Sequence, residues 1–355
     1  MAKTTTPREM RTILIHEWVT GGGLAGQMLP ASWAAEGGAM RRAICRDFSL
    51  IPGIRVLMTL DAGLPDEPGP WETIRIGPGE EWEQLRQLAS RSDFTAVIAP
   101  ESSGLLEERA ALLAKIGAKS LGSTPEAIAV AGDKLRVSEL LNQRQIPTPR
   151  SQRVEPALGL PDDFPYPAVL KPIDGAGSVD TFLVSDASWS SGGTFTGSAA
   201  LIQPLIDGIP MSASLLVGKD GAVLIALGRQ DVSIRAGRFA YSGGRLPADP
   251  RAIDANVLAA VDAIPGLAGF VGVDYLWDEA KAEATIVEVN PRPTTSYVGL
   301  SHILPAGMLA RAWLDAITGE IGPESGGLAV VVHSRPPIRF RADGTITPEP
   351  GGVES

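Results

Sequence analysis

The stretch Ile286-Val287-Glu288-Val289-Asn290-Pro291-Arg292-Pro293 fixes how this chain is read. It is an apolar run ending at two prolines, so it reads as a strand that stops at Asn290. Glu288 and Asn290 are two residues apart, which turns both side chains to one face. A carboxylate and an amide oxygen side by side suit a hard divalent cation such as magnesium or manganese. The preceding apolar run, residues 269–277, reads as the neighbouring strand and carries Asp274. A carboxylate in such a run is costly unless it is hydrogen-bonded or metal-bound. A salt bridge to one of the arginines would satisfy Asp274 alone. With Glu288 and Asn290 on the next strand, a shared metal accounts for all three.

Two further signals lie upstream. In Ala168-Val169-Leu170-Lys171-Pro172-Ile173-Asp174-Gly175-Ala176-Gly177-Ser178, a lysine ends an apolar strand and meets a loop with two glycines and a serine. Backbone amides there can approach phosphate oxygens closely, because glycine has no Cβ, and Lys171 supplies a fixed positive charge. An ordinary hairpin with a solvated lysine has the same local pattern. Gly132-Asp133-Lys134 opens a helix that runs to about residue 143. Taken alone, Lys134 is an exposed helix lysine.

The bulk properties set limits. At 355 residues the chain is long enough for two or three domains or lobes. It is 44% apolar and 20% charged with a net charge of −10, which argues against non-specific nucleic-acid binding. Local phosphate binding stays open. Cys45 is the single cysteine, so no internal disulfide is available, and its place in a helix-like stretch reads as a buried, inert thiol. His16, His302 and His333 show no zinc-ligand spacing. The first ten residues are polar and the apolar run behind them is short, which is not a signal peptide. No stretch is long and apolar enough to span a membrane. The expectation is a cytoplasmic enzyme with no membrane partner, and a homodimer is the default assembly.

Strand–helix alternation over residues 1–122 predicts a small parallel sheet with helices on its faces. Strands are expected at 11–18, 55–60, 96–99 and 119–121, and helices at 38–50, 80–92 and 105–116. Beyond a helix start at Ser123-Thr124-Pro125-Glu126, strands with interspersed helices predict an α+β region. Its expected lobes are 123–205 and 206–334. Residues 335–355 are Pro/Gly-rich and read as a peripheral tail. Residues 21–26, Gly-Gly-Gly-Leu-Ala-Gly, match a dinucleotide fingerprint after a strand. The stretch runs into Pro30 instead of opening a clean helix, and the next strand-end acid, Asp61, lies well beyond the usual ~20 residues. A nicotinamide cofactor therefore ranks below ATP.

In their order and spacing these motifs resemble the ATP-grasp superfamily over most of residues 120–300. The matching pieces are Gly132-Asp133-Lys134 with Ile146-Pro147-Thr148-Pro149, Leu170-Lys171-Pro172 with the 175–178 loop, and Leu201-Ile202-Gln203-Pro204-Leu205-Ile206-Asp207-Gly208. Gly272-Val273-Asp274 and Val287-Glu288-Val289-Asn290-Pro291-Arg292 complete the set. The resemblance implies an α/β, Rossmann-like pre-ATP-grasp domain followed by α+β ATP-grasp lobes that grip ATP. It assigns Lys134 and Lys171 to the ATP phosphates, and Gly175, Gly177 and Ser178 to a phosphate lid. Gln203, Pro204, Leu205 and Ile206 would form the hinge against adenine. Asp274, Glu288 and Asn290 would hold magnesium or manganese. Two departures stand out. The acid that commonly follows the hinge is missing, leaving Asp207 as its substitute. Gly272 replaces the arginine that D-alanine–D-alanine ligases carry two residues before the metal aspartate, which moves that charge onto Arg292, with Arg229 and Arg235 behind it.

Within the superfamily, Ile15-His16-Glu17-Trp18-Val19-Thr20-Gly21-Gly22-Gly23, Gly228-Arg229-Gln230 and Tyr241-Ser242-Gly243-Gly244 resemble the tyramine–glutamate ligase group of C1-cofactor biosynthesis. The resemblance implies amide formation between small-molecule carboxylate and amine substrates through an acyl phosphate. Glu17 stands where D-alanine–D-alanine ligases hold a substrate amine. Residues 229–245, with their arginines, glycines and Tyr241, read as a loop closing over the intermediate. Two rivals predict other outcomes. A kinase of this fold would accumulate a phosphorylated product without amine, and a nucleotide-binding protein would show no turnover.

Overall fold

The computed structural model describes residues 10–175, 179–190, 195, 197–319 and 327–349. Among these residues two sheets form. The first is parallel and four-stranded, built from β1 (Arg11–Glu17), β2 (Ile54–Asp61), β3 (Glu72–Ile76) and β4 (Phe94–Ile98), in the order β3-β2-β1-β4. Helices α1 (Ala31–Ser49), α2 (Glu81–Ser90) and α3 (Leu105–Lys115) connect these strands or follow the last of them. Ile13, Leu14 and Ile15 are all fully buried, the continuous apolar run of a parallel strand covered on both faces.

Helix α1 begins well before the expected residue 38. Gly37 and Gly38 lie inside the helix, and a Cβ on Gly37 would meet the Glu17 carboxylate at 2.6–2.7 Å. The strand expected at 119–121 is reduced to a single bridge between Thr95 and Ser120.

Two short helices follow, each with a side-chain N-cap. Thr124 caps α4 (Pro125–Ala131), and the Asp133 carboxylate accepts from the amides of Leu135 and Arg136 at the start of α5 (Lys134–Gln143). Next come β5 (Gln152–Val154), β6 (Ala168–Lys171), β7 (Phe182–Val184) and β8 (Ala200–Pro204), antiparallel around their own apolar cluster of Phe164, Leu170 and Ile202. The last lobe holds β9 (Ile209–Gly218), β10 (Gly221–Arg235), β11 (Arg238–Leu246), α6 (Ala255–Asp262), β12 (Gly269–Asp278) and β13 (Glu283–Asn290). After it lie α7 (Ser296–Ile303), α8 (Met308–Thr318), α9 (Leu328–His333), β14 (Ile338–Arg341) and β15 (Ile346–Pro348). The strands from β5 onward make one eleven-stranded sheet whose main path is β13-β12-β9-β10-β11-β7-β6-β8-β5. Among the described residues the two lobes meet in that sheet through one residue pair, Arg238 with Phe182.

Two expectations are corrected. Residues 229–245 are not a loop but most of the β10–β11 hairpin, with the turn at Ala236 and Gly237, both at positive φ. Its arginines and glycines disguise a strand pair whose inner face carries Val232, Ile234, Phe239 and Tyr241. The stretch from residue 335 is not peripheral through its described part. Strand β14 pairs with β11, and Ile338 and Phe340 are buried in the largest core cluster.

That cluster also joins the parallel-sheet domain to the C-terminal lobe. Phe48 of α1 packs at a tilt against Trp313 of α8 with ring centroids 5.6 Å apart, and Phe270 and Tyr297 pack against the same indole. No helix among the described residues is long and apolar enough to cross a membrane.

Candidate functional site

A cavity of about 380 Å³ lies between the lobes, and Lys134, Lys171, Gln203, Asp274, Glu288 and Asn290 all line it. Each arrives from a different position on the scaffold. Lys134 is the first residue of α5, and its amide donates to the carbonyl of Ile173 (3.1 Å), which ties the helix start to the loop after β6. Lys171 is the last residue of β6. Asp274 of β12 pairs directly with Glu288 of β13. A register shift follows, so Tyr275 pairs with Ile286 and Val287 is the extra residue. The bulge brings Val287 onto the same wall as Glu288 and Asn290, a placement that strict alternation excludes.

The electrostatics of the site set two acids, Asp274 and Glu288, against two lysines, Lys134 and Lys171. Two carboxylates opposite each other across a strand pair repel. Burial and the Glu288 charge push the Asp274 carboxyl up to about 7, while the Asn290 hydrogen bond, Arg292 and Lys134 pull the other way. Asn290 Nδ2 donates to Asp274 Oδ2 (3.2 Å) and Gln230 Nε2 to Asp274 Oδ1 (2.9 Å). The Lys134 ammonium lies 3.1 Å from Glu288 Oε1 and also donates to the Gly175 carbonyl. Burial and Lys134 bring the Lys171 ammonium down to about 8, against the pull of Glu288 and Asp274. Two carboxylates and an amide oxygen are a hard-oxygen donor set, and a divalent cation would relieve the Asp274–Glu288 repulsion. Among the described residues no three His, Cys, Asp or Glu side chains gather as a metal group, so the donor set here is two acids completed by the Asn290 amide.

The hinge stretch lines the same cavity through Gln203, Pro204, Leu205 and Ile206. Gln203 is buried, and its amide donates to Ser151 Oγ (2.8 Å); the Leu205 amide donates to the Pro167 carbonyl (2.9 Å). Asp207 is exposed and not on the cavity wall, whereas Gly208 is. Gly175 lines the cavity, and the other two lid residues, Gly177 and Ser178, lie outside the described residues.

At the other end the wall is formed by Arg292, Tyr241, Thr294, Thr295 and Glu36. The Arg292 guanidinium is held by Glu101 through Nε–Oε1 (2.8 Å) and Nη2–Oε2 (2.9 Å), and Nη1 donates to the Pro293 carbonyl (3.1 Å). The Tyr241 hydroxyl shares a 2.7 Å hydrogen bond with Thr295 Oγ1, and burial raises its pKa. Gly272 has a local cause: a Cβ there would stand 2.9 Å from Thr294 Cγ2, so Thr294 fills the space a longer side chain would need.

Three expected site residues are elsewhere. Arg229 is exposed and does not line the cavity. Arg235 lies on the outer face of the hairpin, in a separate concavity with Arg339 and Arg341. The alternation of β10 explains both, since Gln230, Val232 and Ile234 take the inner positions. Glu17 is buried beside the glycine turn. Its carboxylate accepts the amides of Val19 (2.9 Å) and Thr20 (2.8 Å) and the Thr20 hydroxyl, so it organises the turn instead of lining the cavity. The glycines of that turn answer to packing as well: a Cβ on Gly21 would meet Thr59 Oγ1 at 2.6 Å. Glu36 and Glu101 carry no local sequence signal. Glu36 is one acid in an Ala/Gly-rich helix, and Glu101 follows a strand end at Pro100.

Comparison with known proteins agrees with this geometry. Residues 131–296 match the model of the ATP-grasp domain, and residues 54–128 match that of the pre ATP-grasp 3 domain. The chain is 32% identical to a tyramine–L-glutamate ligase of Methanocaldococcus fervens over 211 residues, 59% of this chain and 61% of that one. It is 31% identical to the tyramine–L-glutamate ligase of Methanocaldococcus jannaschii over 235 residues, 64% of this chain and 66% of that one. In both cases the match spans under two thirds of the relative's own length. The fold is similar to that of the D-alanine–D-alanine ligase from Bacillus anthracis, with a TM-score of 0.58 at 15% identity over 86% of this chain and 97% of that one. The two domain matches nearly abut and together take in β2–β4 of the parallel sheet and the lysine- and acid-lined cleft, so the chain carries an ATP-grasp domain preceded by a pre-ATP-grasp domain.

Proposed function

We propose that this protein is an ATP-dependent carboxylate–amine ligase that forms an amide bond through an acyl phosphate. The observation that carries the reading is the convergence of Lys134, Lys171, Asp274, Glu288 and Asn290 on one cavity. A carboxylate is a poor electrophile because its oxygen leaves badly. In the first step a substrate carboxylate oxygen attacks the γ-phosphorus of ATP, and ADP departs. In the second the amine nitrogen attacks the acyl carbon, inorganic phosphate departs, and the nitrogen loses a proton.

The chain's own residues supply charge and alignment for this chemistry. Lys134 and Lys171 meet the phosphate oxygens, and the lowered pKa of Lys171 is restored when an anion arrives. Gln203 through Ile206 border the adenine end. Asp274, Glu288 and Asn290 would hold magnesium or manganese, which neutralises charge on the transferring phosphoryl group. Arg292 stabilises the acyl-phosphate end while Glu101 fixes its plane.

The relatives' names supply the first substrates to try, L-glutamate as the carboxylate and tyramine as the amine. Such a condensation fits a place in C1-cofactor assembly. The test is ADP release measured with each substrate alone and both together. Release that needs both supports ligation. A stable phosphorylated product without amine points to a kinase, and tight ATP binding with no turnover over an amine and amino-acid panel points to a nucleotide-binding protein.

A further inference from the structure

We propose that Glu36, on the first helix of the parallel-sheet domain, seats the cationic nitrogen of the amine substrate. The inference rests on the ligase reading above and specifies where the second reactant enters. Glu36 lines the cavity at its Arg292 and Tyr241 end, yet makes no hydrogen bond or ion pair among the described residues. Acids partly withdrawn from water normally have such a partner, because an unpaired carboxylate there is costly. Its strongest positive neighbour is Arg292, whose guanidinium is already engaged by both oxygens of Glu101. The next charge it feels is Glu17, another acid. On the wall at this end Glu36 is the acid beside Arg292, with Glu101 and Glu17 behind it, off the wall, so the single guanidinium is already neutralised by Glu101 and Glu36 is left to attract a cation.

Glu17 cannot take that role, because the Val19 and Thr20 amides and the Thr20 hydroxyl already occupy its oxygens. Glu36 is the acid left open. The wall of the same cavity includes Val232 and Tyr241, which face each other across the hairpin and give an apolar surface for the body of the ligand. The chemical class is a primary amine on an apolar or aromatic body; it arrives as the ammonium, gives one proton to the Glu36 carboxylate to free its lone pair, and loses the second after attack on the acyl carbon.

The test uses the full chain and the amine that gives most ADP release in the panel, beginning with tyramine. Glu36→Gln should raise the KM for that amine by about 10- to 100-fold, the usual loss for a hydrogen bond to a charged group. The KM for ATP should stay within about twofold of its original value, if this contact is confined to the amine. Inhibition by tyrosol, which carries a hydroxyl in place of the ammonium, should be unchanged. Glu17→Gln should instead lower the melting temperature and leave the amine KM unaltered. A thermal shift with MgATP checks that each variant is folded. Should Glu36→Gln not fold, Glu36→Asp carries the test, since withdrawing the carboxylate by one methylene should still raise the amine KM. Amine-dependent turnover in which the folded Glu36 variant keeps its amine KM overturns this inference alone. Absence of amine-dependent ADP release by the unaltered chain overturns the ligase reading and this inference with it.

Discussion

The ammonium of Lys134 lies 3.1 Å from the carboxylate of Glu288, joining the first turn of α5 to the last strand of the cleft. Each lines the same cavity as Asp274 and Lys171, and on the proposed reading Lys134 meets nucleotide phosphate while Glu288 meets the metal. Replacing either Lys134 or Glu288 by alanine should lower kcat for ADP formation by about 100-fold or more, the scale for removing one preorganised charge from a transition state. Steady-state kinetics and MgATP titration on folded variants check this; a variant with full turnover removes that residue from the site.

Arg292 and Glu101 form a bidentate pair with little solvent access, and it ties the segment after β4 to the segment after β13. Removing one member leaves the other buried and unpaired. Glu101→Ala or Arg292→Ala should each cost about 3–5 kcal/mol in denaturant unfolding. The double variant should cost less than the sum of the two singles. An additive cycle would mean the pair does not couple the domains.

Asp47 gives the fold a pH dependence away from the cleft. Burial pushes its carboxyl up to about 6, only partly offset by the Ser301 hydroxyl, 2.9 Å away, and by Arg46. The folded state therefore binds this proton more tightly than the unfolded chain. Between the ordinary carboxylate range and about pH 6, this group's contribution falls as pH rises, by at most about 3 kcal/mol. Stability curves for Asp47→Asn should lack that component and lie above those of the unaltered chain at pH 7–8. Parallel curves at all pH values would remove Asp47 as the source.

Phe340 of β14 is buried against Gly299 and Gly244, whose Cα positions admit its ring. Phe340→Ala should cost about 3–5 kcal/mol, the range for deleting a core aromatic ring. A chain ended after residue 334 should lose at least as much, since it also sheds Ile338 and the β11 pairing. Equal melting temperatures with and without this segment would contradict its place in the core.

Much of the cleft was legible because strand periodicity is local. Glu288 and Asn290 share a face by spacing alone, and Lys171 ends a strand that apolar residues mark out. What escaped depends on distant partners. The bulge at Val287 arises from register with β12, not from its own neighbours. The hairpin was hidden because its arginines face outward and its glycines accommodate β14: a Cβ on Gly243 would fall 2.1 Å from the Phe340 carbonyl oxygen. Glu17 had the right place at a strand end, but the adjacent turn amides compete for it. Glu36 joins the cavity only through the docking of α1, which no short window encodes.

Among the described residues, the single strand pairing between β11 and β7 has a mechanical meaning. At the hairpin tip the Leu183 amide donates to the Gly237 carbonyl (2.8 Å), the Phe239 amide donates to the Thr181 carbonyl (3.0 Å), and the Arg238 guanidinium sits 4.7 Å from the Phe182 ring centre. These few contacts hold β7 of the small lobe to the tip of the hairpin. Helices α4 and α5 pack in the core of the last lobe, so of the small lobe only strands β5–β8 lean on this tip, and weakening it should change how readily the cavity opens while that core stays packed.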